Sequence, residues 1–386
     1  MPLRTKLLLA VAALVAVALV ALVAVVVVRP GGPAPSAGGP PASTPQPGSD
    51  DAAARSPQQL GEAFLADHVD DGRVVRTDQG GDTVSEGQAY GLLVAAAVGD
   101  EETFDDVWRW TRRELVRDDG LLAWRWADGE VVDDMPASDA DVDAARALVV
   151  AGDAFDRPDL TRDGVSLGTA VLDEMTVETP LGRVLLPGPW AQGPGPWSYN
   201  PSYAAPAAFR QLAEASGDPR WSELEAGSRA ATTAVLDATA LPSDWAQVRL
   251  DGTVVPLPSA DGSSGTVGYS YDAARLPLRY AESCEPEDVA LAARLADVLS
   301  RYEELPVQLD LGGQAAGDDR HPLAYAARAA AAASAGDTAA ARADLATADA
   351  VAQETPTYYG SAWAALAALQ LDDDALGACS PLAVTS

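Results

Sequence analysis

The chain has 386 residues, and 26 Lys and Arg against 57 Asp and Glu give a net charge of 26 − 57 = −31. A chain this acidic repels phosphate, so we expect no nucleic-acid partner. Lys6 is the only lysine, which leaves no lysine in the folded part for a phosphate loop or a Schiff base. The chain has only two His and two Cys, which argues against zinc sites of the usual ligand types, and we expect neither metal nor cofactor.

The N-terminal segment, residues 1–29, contains an uncharged apolar run at 7–28 without Gly or Pro. At about 1.5 Å per residue this run is long enough to cross a membrane as a helix. Arg4 and Lys6 precede it, which predicts that the N-terminus lies inside and the rest of the chain outside. The alternative is a cleaved signal peptide, whose apolar part is usually about 7–15 residues. We therefore expect the domain either on the extracellular face of the membrane or secreted.

Residues 30–55 are rich in Pro, Gly and Ser, a composition typical of a disordered linker. The folded domain is predicted at 56–380, as a monomer. In an oxidising compartment Cys284 and Cys379 could form a disulfide, or they could be two unrelated buried thiols.

From Ser56 onward the apolar spacing is helical. Ser56 and Pro57 are typical of a helix start. The pattern predicts twelve helices, near 57–69, 86–98, 103–116, 138–155, 159–175, 201–215, 219–238, 271–281, 286–301, 321–335, 337–352 and 357–370. Short strands are expected at 183–186 and 254–257. Helices in successive pairs favour an all-α barrel or a solenoid of helical hairpins.

Residues 84–91 read VSEGQAYG and place Glu86 in the first turn of a helix. Ser85 and Gln88 have the spacing of a capping box. A glutamate at a helix start can be there for the helix dipole alone. In the same way, residues 136–143 put three acids at the start of the helix that is predicted over 138–155. Capping explains one of them, and a calcium loop would need a glycine that is missing here.

Two later segments also place polar and aromatic residues at helix starts. Asn200 and Tyr203 lie in YNPSY (199–203), where they could bind hydroxyl groups or simply cap and pack. Asp272 and Arg275 lie three residues apart in 269–279, so the arginine could hold the carboxylate ionised. An ordinary surface pair is the alternative.

Tryptophan is in excess, with nine Trp against four Phe. The apolar faces of sugar rings stack on indole, so this excess suggests a glycan-binding groove. Trp108, inside a helical apolar stripe, is expected in the core instead.

Together these motifs resemble glycoside hydrolase family 8. The matching pieces are SEGQAYG (85–91), DDVWRWTRREL, DGLLAWRW, ASDADVDAARALVVAGDAF (137–155), NPSYAAPAAFR (200–210) and GYSYDAARLPLR (268–279). They occur in the family's order over about 57–370. The resemblance implies an (α/α)6 barrel and an inverting enzyme that cuts β-1,4-linked glucan, chitosan or xylan.

The resemblance also implies roles for individual residues. Glu86 would be the general acid and Asp272 the general base. Asp139 would bind the sugar at the cleavage subsite, Tyr203 would hold the attacking water, and Arg275 would orient Asp272.

Two further residues complete the expected sugar site. Trp124 would stack on a glucosyl ring, and Asn200 would bind the substrate. The chain departs from the family pattern at Ala89, where glycine is common, and at Leu276, where a small or β-branched residue is usual. Either departure could reshape the groove without touching a proton-transfer group.

The expected chemistry is two-carboxylate hydrolysis of a β-1,4-linked polysaccharide, with a cellulose-like glucan as the expected substrate. Glu86 then needs a raised pKa and Asp272 must be ionised. Inversion requires the two carboxyl groups to lie about 6.5–9.5 Å apart. Chitosan and xylan are alternative substrates, and the acidic surface would attract cationic chitosan. A non-catalytic glycan-binding protein and an unrelated helical interaction module remain as other classes.

Overall fold

The computed structural model of the protein describes residues 54–376 and 379–382. In this part of the chain the dominant element is the α-helix. The helices are α1 (Pro57–His68), α2 (Ser85–Val98), α3 (Glu101–Glu114), α4 (Ser138–Ala154), α5 (Pro158–Glu174), α6 (Pro206–Ser216), α7 (Arg220–Ala238), α8 (Leu276–Ala281), α9 (Pro286–Ala293), α10 (Ala296–Leu299), α11 (Pro322–Ser334), α12 (Thr338–Glu354) and α13 (Tyr358–Leu371).

Six of these helices form a closed inner ring. Going round the ring they are α2, α4, α6, α8, α11 and α13, each in contact with the next, and α13 contacts α2. The helices α3, α5, α7, α9, α12 and α1 pack against them from outside. This arrangement is consistent with the (α/α)6 barrel that the resemblance implied.

Three buried ion pairs join α4 to the segment 275–282, which contains α8. Asp139 pairs with Arg275, Asp143 with Arg279, and Arg146 with Glu282. The partners in every pair are 136 positions apart in sequence, so the two segments run parallel and in register. Because burial of an unpaired charge is costly, the three pairs fix the rotation and the height of α8 against α4.

The described strands are short and lie between an outer helix and the next inner helix. They are β1 (Val69–Asp70), β2 (Arg73–Val74), β3 (Thr83–Val84), β4 (Arg125–Ala127), β5 (Glu130–Asp133), β6 (Thr176–Thr179), β7 (Gly182–Leu185), β8 (Trp197–Tyr199), β9 (Trp245–Val248) and β10 (Val254–Leu257). They form small antiparallel sheets, β1–β2, β3–β4–β5, β6–β7 and β8–β9–β10. These connections lie where the inner helices begin. The two predicted strands are confirmed as β7 and β10, and the other eight were not predicted.

Most predicted helices are confirmed within two residues of their ends. The helix predicted over 201–215 is wrong at its start, because residues 201–203 form a 3-10 turn and α6 begins at Pro206. A proline ring clashes with the carbonyl four residues earlier, which prevents a continuous helix through Pro206. The helix predicted over 271–281 is also wrong at its start, because residues 273–275 form a separate 3-10 turn and α8 begins at Leu276, with Pro277 in its first turn. The helix predicted over 286–301 is divided into α9 and α10.

The start of α1 shows where the chain enters the barrel. Ser56 and Gln59 form a capping box, with Pro57 in the first turn. The Gln58 side chain then donates a hydrogen bond of 3.1 Å to the carbonyl of Val98, the last residue of α2. The chain therefore enters at the end opposite to the starts of the inner helices.

The same end carries the covalent crosslink. Cys284 and Cys379 form a disulfide with a Cα–Cα distance of 5.6 Å, so the bridge considered from the sequence is confirmed. It ties the segment after α8 to the segment after α13. No described helix is both long enough and apolar enough to be a membrane span; the predicted span at 7–28 and linker residues 30–53 lie outside the described residues.

Candidate active site

Arg275 stands at the centre of a cluster of three carboxylates at the start of the inner helices. Its Nη1 donates to Glu86 Oε1 at 2.9 Å and to Asp139 Oδ2 at 2.8 Å, and its Nη2 donates to Asp272 Oδ1 at 2.5 Å. The guanidinium is 1% exposed. One buried cation cannot neutralise three carboxylates, so the cluster favours holding a proton.

Glu86 is the group in this cluster with the clearest tendency to hold that proton. Burial raises its pKa to about 7, with the charges of Asp139 and Asp272 adding to the effect and Arg275 opposing it. Arg275 and the Tyr90 hydroxyl both donate to Oε1, the latter at 2.8 Å. The second oxygen, Oε2, is therefore left to carry the proton, on a side chain that is 23% exposed.

Asp272 lies on the turn that precedes α8. Its pKa is also raised, first by burial and then by the charge of Asp139, although Arg275 and the amide of Asn200 lower it. Arg275 therefore acts to hold this carboxylate ionised, as expected, and burial acts against it. The Asp272 side chain is 30% exposed, so it is accessible to solvent.

The remaining predicted site residues surround this cluster. The Tyr203 ring lies 5.2 Å from the Arg275 guanidinium carbon and meets the Trp245 ring edge to face at 6.0 Å. Asn200 Oδ1 accepts hydrogen bonds from the amide and the hydroxyl of Ser202, and the side-chain amide of Asn200 lies close enough to Asp272 to lower its pKa. The structure therefore brings Asn200 and Tyr203 together with Arg275 and Asp272.

Trp124 is partly exposed, and its carbonyl accepts a hydrogen bond of 2.9 Å from the Ser85 amide, one residue before Glu86. This bond places Trp124 beside the start of α2, and its predicted stacking on a sugar ring stays a prediction. Trp108 is only 6% exposed, which confirms it as a core residue.

The three acids at the start of α4 have three separate partners. Asp139 binds Arg275 and Asp143 binds Arg279, because residues four apart lie on the same face of a helix. Asp141 points elsewhere and accepts a hydrogen bond of 2.8 Å from the Leu122 amide. It thereby fixes the segment that leads to Trp124. Burial raises the pKa of Asp141 well above its ordinary value.

The predicted capping box at Ser85 and Gln88 is wrong. The cap position is Val84, without a side-chain hydrogen bond, and Ser85 Oγ is buried without a partner among the described residues. The Gln88 side chain instead accepts from the Val74 amide and donates to the Gly72 carbonyl and to Thr111. The bonds to Val74 and Gly72 hold the segment before α2 against the first turns of α2. Gln88 is thus a structural residue that makes several hydrogen bonds, but its partner is not Ser85.

Several tyrosines at the site were missed from the sequence. Tyr90 lies one helical turn after Glu86 and bonds to it, a spacing of four that could have been noticed. Tyr358 and Tyr359 come from the start of α13. The Tyr358 hydroxyl is buried without a hydrogen-bond partner among the described residues, and a Cβ atom on Gly87 would lie 3.0 Å from it. Glycine at position 87 therefore lets Tyr358 approach the turn that carries Glu86.

The site thus combines a carboxyl group that holds its proton near neutral pH with a second carboxyl group across a shared arginine. Acid–base hydrolysis needs one carboxyl group that donates a proton and one that accepts a proton. Most glycosidases use such a pair, with the two groups on either side of the bond that is cut. The class defined by the fold and site is a carboxylate-based hydrolase. The chain belongs to glycosyl hydrolases family 8, whose family model matches residues 49–371.

Relatives and solved structures agree with this assignment. The chain is 36% identical over 217 residues to a probable endoglucanase of Novacetimonas hansenii, covering 54% of this chain and 62% of that protein. It is 32% identical over 233 residues to an endoglucanase of Cellulomonas uda, covering 58% of this chain and 62% of that protein. The structure of an endo-β-1,4-glucanase from Acetobacter xylinum superposes with a TM-score of 0.67 at 28% identity, covering 82% of this chain and 97% of that one. The sequence matches thus span just under two thirds of the first two relatives, whereas the structural match spans nearly all of the third.

Proposed function

We propose that this protein is an endo-acting glycoside hydrolase that cleaves β-1,4-glycosidic bonds, with a cellulose-like glucan as substrate. The observation that carries the proposal is that one guanidinium, that of Arg275, binds both Glu86 and Asp272. A protein that only binds glycans needs no such pairing of a protonated and an ionisable carboxyl group. The relatives named endoglucanases share the family.

In the proposed reaction Glu86 is the general acid. Its Oε2 gives a proton to the glycosidic oxygen while the bond to the anomeric carbon breaks. Asp272 takes a proton from a water molecule, which attacks that carbon from the opposite face of the ring. An inverting reaction of this kind requires room for the water, with the carboxyl groups about 6.5–9.5 Å apart. The configuration of the product is therefore a prediction of the proposal.

The other site residues then act on the sugar or on the water. Asp139 binds the sugar at the cleavage point while paired with Arg275, and Tyr203 and Asn200 hold the attacking water beside Asp272. Trp124 supplies an aromatic face for the neighbouring ring. A single arginine among these carboxylates leaves the cleft acidic, which would also suit a cationic chitosan.

The experiment is release of reducing ends from soluble carboxymethyl-cellulose, mixed-linkage glucan, chitosan and xylan by the full chain. Glu86→Gln and Asp272→Asn are measured beside it, with Glu102→Gln, an exposed first-turn glutamate of α3, as the matched control. We expect activity on the glucans that falls by about 10²–10⁴ in both site variants and stays unchanged in the control. Greatest activity on chitosan or xylan would change the substrate, and a folded but inert wild type would favour the glycan-binding alternative.

The proposed location is the extracellular face of the membrane, with residues 7–28 as the anchor and 30–55 as the tether, or release after cleavage. The entry of the chain at the end opposite the carboxylate cluster supports this, because a tether attached there leaves the cleft free for a polymer. Fractionation of cells that express the full chain tests it: the anchored form remains with membranes after a salt wash, and a cleaved form appears in the medium.

A further inference from the structure

Asp244 is a carboxylate at the site that neither the resemblance nor the proposed reaction uses. It stands immediately before β9, and its backbone amide donates to the Gly268 carbonyl at 2.9 Å. One oxygen of its side chain, Oδ1, accepts two hydrogen bonds of 2.8 Å, from the backbone amides of Ser270 and Ala273.

Those two amides lie on either side of Asp272. The segment between them is a turn, closed by hydrogen bonds from the Ala274 amide to the Ser270 carbonyl and from the Arg275 amide to the Asp272 carbonyl. Because Pro277 prevents the following helix from extending backwards through this turn, the turn needs another source of rigidity. Asp244 supplies it from a different part of the chain.

Neighbouring contacts connect the same strand to other site residues. Strand β9 pairs antiparallel with β8, and Tyr199 lies opposite Ala246. Asn200 comes directly after Tyr199, and Trp245 comes directly before Ala246, so both residues lie at the same end of the strand pair, next to the carboxylate cluster. The Trp245 ring then packs against Tyr203. Burial and the charge of Asp272 raise the pKa of Asp244 to about 7, in keeping with two carboxyl groups that lie close together.

We infer that Asp244 is a positioning residue for Asp272: its Oδ1 clamps the two backbone amides that flank the base and so fixes the direction of the base carboxylate toward the attacking water. The inference rests on the proposed role of Asp272. A general base must stand within hydrogen-bond reach of the proton that it takes. A displacement of about 1 Å at such a group can cost about 10² in rate.

The test compares Asp244→Ala and Asp244→Asn in the full chain, with kcat, KM and the melting temperature measured for each. Alanine removes the clamping oxygen, whereas asparagine keeps an Oδ1 that can accept both amide hydrogen bonds. We expect kcat to fall at least about tenfold in Asp244→Ala with KM within about twofold of wild type, and to recover to within about threefold in Asp244→Asn. The matched control is Asp251→Asn, since Asp251 accepts two hydrogen bonds from Thr253 on the exposed turn between β9 and β10.

Two results would overturn the inference. One is an unchanged kcat in Asp244→Ala, whether or not its melting temperature is lowered, and the other is an Asp244→Asn variant as slow as Asp244→Ala. Asp272→Asn, measured in the same series, separates this failure from that of the proposed function. If Asp272→Asn keeps wild-type activity, Asp272 is not the base and the role assigned to Asp244 falls with it.

Discussion

Arg275 donates to Glu86 across 189 positions of sequence, at 2.9 Å, and to Asp272 only three positions away. The group that orients the proposed base therefore also holds the proposed acid. Because Asp139 is bound by the same guanidinium, the charge states of the three carboxyl groups depend on one another. The pH dependence of this site should be read as a property of the cluster.

The first prediction concerns the pH dependence of activity. Catalysis requires Glu86 protonated and Asp272 ionised. Since the pKa of Glu86 in the unliganded enzyme is raised to about 7, kcat/KM, which reports the free enzyme, should fall as the pH rises through that value. Since burial raises the pKa of Asp272 above its ordinary 3.8, the acid limb of the kcat/KM profile should begin above that value. A kcat/KM profile that stays flat from pH 6 to pH 9 would contradict this assignment of the acid.

The second prediction concerns stability and requires no substrate. The pKa of Glu86 is about 7 in the folded state against an ordinary 4.5, so between these values the native state binds more protons than the unfolded state. The free energy of unfolding of the wild type should therefore lose a contribution as the pH rises from 4.5 to 7. Glu86→Gln lacks this group, so its stability relative to wild type should be greater at pH 8 than at pH 5.

Urea unfolding at the two pH values measures this difference. Glu102→Gln serves as the control, since it removes a carboxylate that is exposed on α3. A stability difference between Glu86→Gln and wild type that is the same at both pH values would mean that Glu86 titrates near its ordinary value.

The third prediction concerns Arg275→Lys. A lysine keeps the positive charge but cannot bind the acid and the base at the same time with a fixed fork of donors. We expect kcat to fall by about 10², because the two carboxylates are no longer held in register. The matched control is Arg229→Lys, at a partly buried arginine of α7 that binds Asp288 through two nitrogens. It should lose stability without losing kcat; equal losses of kcat in the two variants would contradict a specific role for Arg275.

The fourth prediction concerns the disulfide. Cys284 and Cys379 close a loop with a sequence separation of 95 at the end of the barrel away from the carboxylates. Replacing both by alanine should lower the free energy of unfolding by about 2–4 kcal/mol and leave kcat at 25 °C unchanged. Thermal unfolding and initial rates measured on the same preparation check both parts. A double variant with wild-type stability, or a folded double variant with reduced kcat, would contradict this prediction.

Local patterns accounted for much of what could be predicted from the sequence. Ser56, followed directly by Pro57, predicted the start of α1. The structure places Ser56 at the cap position, in a capping box with Gln59. Glu86 and Asp139 were recognised because acidic residues at helix starts are conspicuous. Their meeting at Arg275 was not predicted, since no local pattern joins residues that lie more than a hundred positions apart.

The features that were missed depend on contacts between distant segments or on prolines. The hydrogen bonds of Asp244 to Ser270 and Ala273 join the start of strand β9 to the turn before α8, and no local sequence pattern predicts them. The three ion pairs between α4 and the segment 275–282 could not be predicted for the same reason. The start of α6 at Pro206 and the start of α8 at Leu276, next to Pro277, could have been found, because proline excludes the helical pattern that was drawn through both positions.

The most direct test of the central claim is the configuration of the first product. Proton NMR can follow the hydrolysis of a soluble β-1,4-linked cello-oligosaccharide by the full chain before the released sugar mutarotates. Glu86 as acid and Asp272 as base for water predict that the new reducing end appears first as the α-anomer, at a rate that falls by about 10²–10⁴ in Asp272→Asn. Initial appearance of the β-anomer would show that a carboxylate attacks the sugar directly, and would contradict the account.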